Sequence, residues 1–135
     1  MAETKLTPLY IKTYAQKFDF KTIFFLDLKE RNIVSIGAIV DCHNLQTLNL
    51  SRNNITGISG LDRCLELKFL DLSYNKINQV VTLEKNKKLQ KLELQGNRIQ
   101  EPRNLPEGLT ELRVLYLQEF EMTGQNPICN STGYE

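Results

Sequence analysis

Several things are scarce in this 135-residue sequence: it has no tryptophan, one histidine, three cysteines and four prolines. A bilayer-crossing helix needs about 20 consecutive apolar residues, and the apolar runs here are only a few residues long. The opening stretch Met1-Ala2-Glu3-Thr4-Lys5 lacks the basic-then-apolar layout of a signal peptide. Cys42, Cys64 and Cys129 are odd in number, widely spaced and free of any CxxC pair, which suggests neither a disulfide framework nor a zinc site. Asn49-Leu50-Ser51, Asn54-Ile55-Thr56 and Asn130-Ser131-Thr132 fit the glycosylation pattern by letters alone, and without a secretory route they carry no weight. The formal charge of +1 provides no global field for a nucleic-acid backbone. These absences point to an intracellular, cytoplasmic chain, monomeric by itself, with no nucleic-acid or membrane partner and no cofactor.

What is present is a repeat. Leu45 to Ile55, Leu67 to Ile77 and Leu89 to Ile99 each read LxxLxLxxNxI, and their starts lie 22 residues apart. One step back, Ile23 to Ile33 keeps every apolar position, with Arg31 where the others carry Asn53, Asn75 and Asn97. A step of 23 forward gives Leu112, Leu115 and Leu117, after which the pattern dissolves. The second half of each repeat also keeps time, in three-residue steps: Ile36, Ile39 and Cys42 follow Ile33, Ile58, Leu61 and Cys64 follow Ile55, and Val80 and Leu83 follow Ile77. Such spacing suits a tight 3₁₀ return path.

Each unit is therefore a short strand, an Asn turn and a compact return that buries its apolar side only against its neighbours. An asparagine amide offers both donors and an acceptor, so Asn53, Asn75 and Asn97 are expected to form a stacked ladder satisfying turn backbone. Cys42 and Cys64 fall on an interior slot and read as small buried hydrophobes. His43 has no acid or thiol constellation beside it and reads as a surface residue.

Open solenoid ends must be covered. Thr7 as N-cap, Pro8 at the first helical position, a Leu6–Ile11 staple and the stripe Ile11, Tyr14, Ala15, Phe18 predict a capping helix over 7–20. Pro102 stands where other repeats carry Ile or Val, which predicts a differently shaped return path. The expected organisation is one domain over 1–135, with repeats at 23–44, 45–66, 67–88 and 89–111. Residues 112–135 form a partial repeat and an irregular C-terminal cap, where Phe120, Met122 and Ile128 cover the last coil. The fold class is α/β: a right-handed solenoid with a parallel concave sheet of about five short strands.

These repeats resemble the 22-residue class of the intracellular leucine-rich-repeat family, typified by the regulatory subunit of protein phosphatase 1, the spliceosomal U2 A-prime protein and the axonemal dynein light chain. Asn126-Pro127 followed by Tyr134 is similar to the ending with which several members close their arrays. The resemblance implies a non-enzymatic adaptor or scaffold in the cytoplasm, with the cilium, axoneme or nucleus as further settings. It transfers no partner identity, because one scaffold serves unrelated partners.

Alternation along each strand sets which side chains are free to bind. With the leucines inward, outward columns run Phe25, Thr47, Phe69, Lys91, Val114, then Asp27, Asn49, Asp71, Glu93, Tyr116, then Lys29, Ser51, Ser73, Gln95, Gln118. An edge column holds Glu30, Arg52, Tyr74, Gly96 and Glu119. The expected partner-binding residues are Phe25, Asp27, Asn49, Phe69, Asp71, Tyr74, Lys91, Glu93 and Tyr116. Aromatic anchors beside an acidic stripe suit a protein segment with apolar and basic residues. Two blander readings compete: Phe25 packed under the N-terminal helix, and strand-face charges serving only solubility. Regulation of an enzyme such as a phosphatase, and ribonucleoprotein assembly, are the alternative functions. No nucleophile–base pair, phosphate loop or metal spacing supports an enzyme.

Overall fold

A computed structural model of the chain describes residues 2–117. The expected cap residues from 118 onward, with Asn126-Pro127, Cys129 and Tyr134, lie outside the described residues.

Each principal strand is three residues long, with its middle leucine inward. These are β2 (Phe25–Asp27), β4 (Thr47–Asn49), β5 (Phe69–Asp71), β6 (Lys91–Glu93) and β7 (Val114–Tyr116). They form one parallel five-stranded sheet in the order β2-β4-β5-β6-β7. Pairing is in step, Phe25 beside Thr47 beside Phe69 beside Lys91 beside Val114, so the sequence period becomes spatial adjacency. The inward residues Leu26, Leu48, Leu70, Leu92 and Leu115 are buried in a single continuous core.

The turn after each strand is held by asparagine. Asn75 donates from Nδ2 to the carbonyls of Leu72 and Ser73 in its own coil and of Leu50 in the coil before. Its Oδ1 accepts the Ile55 N–H at 3.0 Å. Asn53 and Asn97 make the corresponding reach back to Leu28 and Leu72. Because each rung reaches backward, the first coil needs none, which is the physical reason Arg31 is tolerated there. The residue preceding each rung position takes left-handed backbone: Glu30, Arg52 and Tyr74 at φ 56–57°, and Gly96 at 76°. Return paths contain 3₁₀ turns at Gly37–Asp41, Leu61–Arg63, Val81–Lys85 and Pro102–Asn104. The three-residue slots that face inward, among them Ile39, Cys42, Leu61, Cys64 and Leu83, are fully buried. The turn containing Pro102 begins on the proline itself, one slot earlier than in the preceding coil.

At the N-terminal end, helix α1 covers Pro8–Ala15 only. Thr7 caps it by accepting the Tyr10 N–H at 3.0 Å. The helix stops short of the expected residue 20 because Gln16 turns left-handed at φ 56°. The Lys17 N–H then closes the end on the Lys12 carbonyl, the Schellman arrangement that terminates helices. Only Ile11 of the expected apolar stripe is fully buried, while Tyr14 is partly exposed and Phe18, beyond the stop, is 96% exposed. Arg31 secures the helix to the first coil, its guanidinium 4.6 Å from the Tyr14 ring centre and donating to the Tyr14 hydroxyl. A strand the sequence did not announce, β1 (Thr4–Lys5), pairs in parallel with β3 (Ile33–Ser35) behind the first turn.

Candidate protein-binding face

The outer face of the sheet carries a depression of about 280 Å³ lined by Phe25, Asp27, Asn49, Phe69, Asp71, Lys91 and Glu93. Stacking in register brings these residues together from four coils. Phe25 is 63% exposed and Phe69 42%, so neither ring is satisfied by the core. The reading that packs Phe25 under α1 is therefore excluded. A single ammonium stands among the carboxylates, with Lys91 Nζ 3.9 Å from Glu93.

The polar column has a structural duty as well. Asp71 Oδ1 accepts the Ser73 N–H at 2.9 Å and the Ser73 hydroxyl at 2.6 Å. Asn49 does the same for Ser51, and Asp27 Oδ1 accepts the Lys29 N–H at 3.3 Å. These contacts stop each strand by satisfying backbone that the ladder leaves free. In the next column Ser51 and Ser73 are buried against the side chains that hold them, against expectation, whereas Lys29 is exposed and Gln95 half-buried. One carboxylate oxygen of Asp71 is committed to the strand end, leaving Oδ2 as its remaining acceptor.

Tyr74 sits elsewhere. It lies on the left-handed turn past β5 and does not line the depression. Its ring carries the Arg52 guanidinium 4.4 Å from its centre, and it lies so close to Gly96 that an added Cβ there would meet Tyr74 Cδ1 at 2.5 Å. The tyrosine thus lies between its column neighbours at positions 52 and 96 while staying 41% exposed. Its column was legible as a repeat position; the stack within it follows from the 22-residue step and was not drawn from the letters. Tyr116 is on β7, beside Glu93 in register.

The interior thiols are inert by environment. Burial, with Asp41 nearby, pushes the Cys42 thiol up to about 11. Burial first, then Cys42 and Asp62, raises Cys64 to about 12. The Cys64 thiol donates to the Ile39 carbonyl at 3.4 Å. The same slot one coil on holds Asn86, missed by sequence reading although the period marks it. It is fully buried, and its Nδ2 donates to the Leu61 and Cys64 carbonyls at 2.9 Å. His43 is exposed. Among the described residues no group of three or more His, Cys, Asp or Glu could hold a metal ion.

Comparison with known proteins agrees with this architecture. Residues 43–85 match the family described as Leucine Rich repeats (2 copies), and residues 85–101 match a further Leucine Rich repeat. Residues 43–101 are thus leucine-rich repeats, and the chain has the fold of a leucine-rich-repeat solenoid. Among solved structures it is similar to an internalin (inlF) of Listeria monocytogenes, with TM-score 0.68 and 24% identity over 82% of this chain and 42% of that one. It is also similar to internalin C2 of the same organism, with TM-score 0.60 and 25% identity over 73% of this chain and 53% of that one. The chain thus spans about half of their length or less. No curated protein matches it.

Proposed function

We propose that the chain is a non-enzymatic adaptor or scaffold that holds a segment of another protein across its concave sheet. Leucine-rich repeats generally mediate protein–protein interaction, which supports the broad reading. One observation carries the finer one: Phe25 and Phe69 stand exposed in a depression whose charged residues are Asp27, Asp71, Glu93 and the lone Lys91. Exposed aromatic anchors in a recess supply binding energy when water is excluded, and the surrounding carboxylates favour a partner with basic residues. Five strands at ~4.8 Å spacing make a platform roughly 20 Å across, enough for a helix or an extended peptide. The proposed working place is intracellular, chiefly the cytoplasm.

The test is a quantitative pull-down comparing the wild type with Phe25→Ala/Phe69→Ala and with Lys76→Glu, which is exposed beyond the turn. The reading expects partners recovered by the wild type to be lost by the concave variant and kept by Lys76→Glu. Equal recovery by all three folded proteins defeats it.

A further inference from the structure

We infer that the concave depression holds an arginine side chain of the partner's segment, seated over Thr47 between Phe25 and Phe69. This assignment rests on the concave reading and deepens it: the two phenylalanines act as walls for a cation rather than as anchors for an apolar side chain.

Register builds the slot. Phe25, Thr47 and Phe69 are successive partners across β2, β4 and β5, and Asp27, Asn49 and Asp71 are successive partners two residues further on. All of these residues line the depression. With strands ~4.8 Å apart, the backbone positions of the two phenylalanines stand roughly 9.6 Å apart, and between them is only the short, half-buried Thr47. A group midway over Thr47 is about 4.8 Å from either column. That is inside the ~6 Å at which a ring attracts a cation. The chain's own cations keep a similar separation: Arg52 is 4.4 Å from the Tyr74 ring centre, Arg31 4.6 Å from Tyr14 and Lys12 4.8 Å from Phe20.

Charge and hydrogen bonding select the occupant. The charged residues lining the depression are the carboxylates of Asp27, Asp71 and Glu93 and the ammonium of Lys91, which stands 3.9 Å from Glu93. The excess is negative, and Asp27 and Asp71 flank the slot on its two sides. Asp71 Oδ1 is committed to Ser73, so the site offers a ligand the Asp71 Oδ2, the Asp27 carboxylate and the Thr47 hydroxyl. An apolar side chain would cover the rings and desolvate these acceptors without a partner, which is costly. A guanidinium is flat, stacks on aromatic faces, is more weakly hydrated than an ammonium and carries five N–H donors in a fixed fork. It lies between the phenylalanines while donating to acceptors on both sides. A lysine supplies the charge without the flat stacking.

The test titrates the ¹⁵N-labelled chain with the synthetic peptide acetyl-Ser-Gly-Arg-Gly-Ser-amide at up to about 10 mM. Chemical-shift changes should centre on Phe25, Thr47 and Phe69. The same peptide with citrulline, which keeps the flat shape and loses the charge, should bind about tenfold or more weakly, and the lysine peptide about threefold or more weakly. These comparisons use the unaltered chain and hold whether or not a variant folds. Phe69→Leu keeps an apolar side chain but loses the ring, and should weaken the arginine peptide about threefold or more. Asp71→Asn removes the charge while preserving the strand end, since Asn49 holds Ser51 by the same bonds; it should weaken the peptide by a similar factor. The arginine slot is overturned if Thr47 and its neighbours do not shift, or if citrulline or Phe69→Leu leaves binding unchanged. It is also overturned if Thr47 shifts with protein concentration alone and the peptide is excluded, which would make a second copy the occupant. Partner loss in Phe25→Ala/Phe69→Ala together with equal binding of arginine and citrulline defeats the slot and leaves the concave reading standing; undiminished recovery by that variant defeats the concave reading itself.

Discussion

The asparagine rungs show most clearly how single residues hold this chain. Asn75 is only 6% exposed and uses both ends of its amide, spanning two coils. Removing it leaves the buried Ile55 N–H without its partner, at a cost of about 1–3 kcal/mol, while the Leu50, Leu72 and Ser73 carbonyls keep Asn53, Asn97 and Arg52 as donors. Asn75→Ala should therefore lower the unfolding free energy by about 1–3 kcal/mol in urea melts, whereas Asn54→Ala, at a half-buried position, should cost less. Similar costs at both positions would mean the ladder is not structural. The thiols make a second prediction, with its sign set by their raised values. Folded Cys42 and Cys64 keep their protons to about 11 and about 12, while the unfolded chain releases them near the ordinary value of 9.0. Above pH 9 the unfolded state then binds fewer protons, and stability falls as pH rises toward those folded values. Cys42→Ala/Cys64→Ala should flatten this alkaline loss, as read from urea midpoints between pH 8 and 11; an unchanged slope would assign the loss to other groups. Legibility differed among these residues. The rungs and thiols were readable because the period assigns each an interior slot, but the second role of Asp71 depends on the turn conformation that brings Ser73 back to it.

Strand and turn elements follow from the same period, and their boundaries follow from local backbone chemistry. The five principal strands were legible because alternation and a 22-residue step together fix both face and register. The helix was legible at its start, where Thr7 and Pro8 signal it, and not at its end. No glycine marks the stop; Gln16 supplies left-handed backbone unaided. The strand at Thr4–Lys5 was invisible because two residues carry no periodicity, and its existence depends on the first coil offering free backbone behind its turn. Left-handed turns also couple neighbouring coils. At Gly96, φ is 76° and a Cβ would strike the Tyr74 ring. Gly96→Ala should destabilise by about 1–3 kcal/mol through strain and the displaced ring. In a Tyr74→Ala background the same change should cost measurably less, a coupling of about 0.5 kcal/mol or more in a double-mutant cycle. Strict additivity would show that the ring does not pack on the glycine.

At the scale of the whole molecule, the solenoid turns a one-dimensional repeat into a two-sided object, with return paths behind and a strand face in front. The period predicted which residues share that face. It did not predict the Arg52–Tyr74 contact, because the letters show the column but not the turn that sets the ring there. Phe25, Phe69 and the carboxylates around them line the depression, while Tyr74, 41% exposed, stands outside it on the turn. Placing a photoreactive p-benzoylphenylalanine at position 69, and separately at position 76, tests the face directly. Once a partner has been recovered, irradiation should cross-link it from position 69, map to a segment containing basic residues, and give little product from position 76. Cross-links forming from position 76 and not from position 69, with both proteins folded, would contradict a concave binding face.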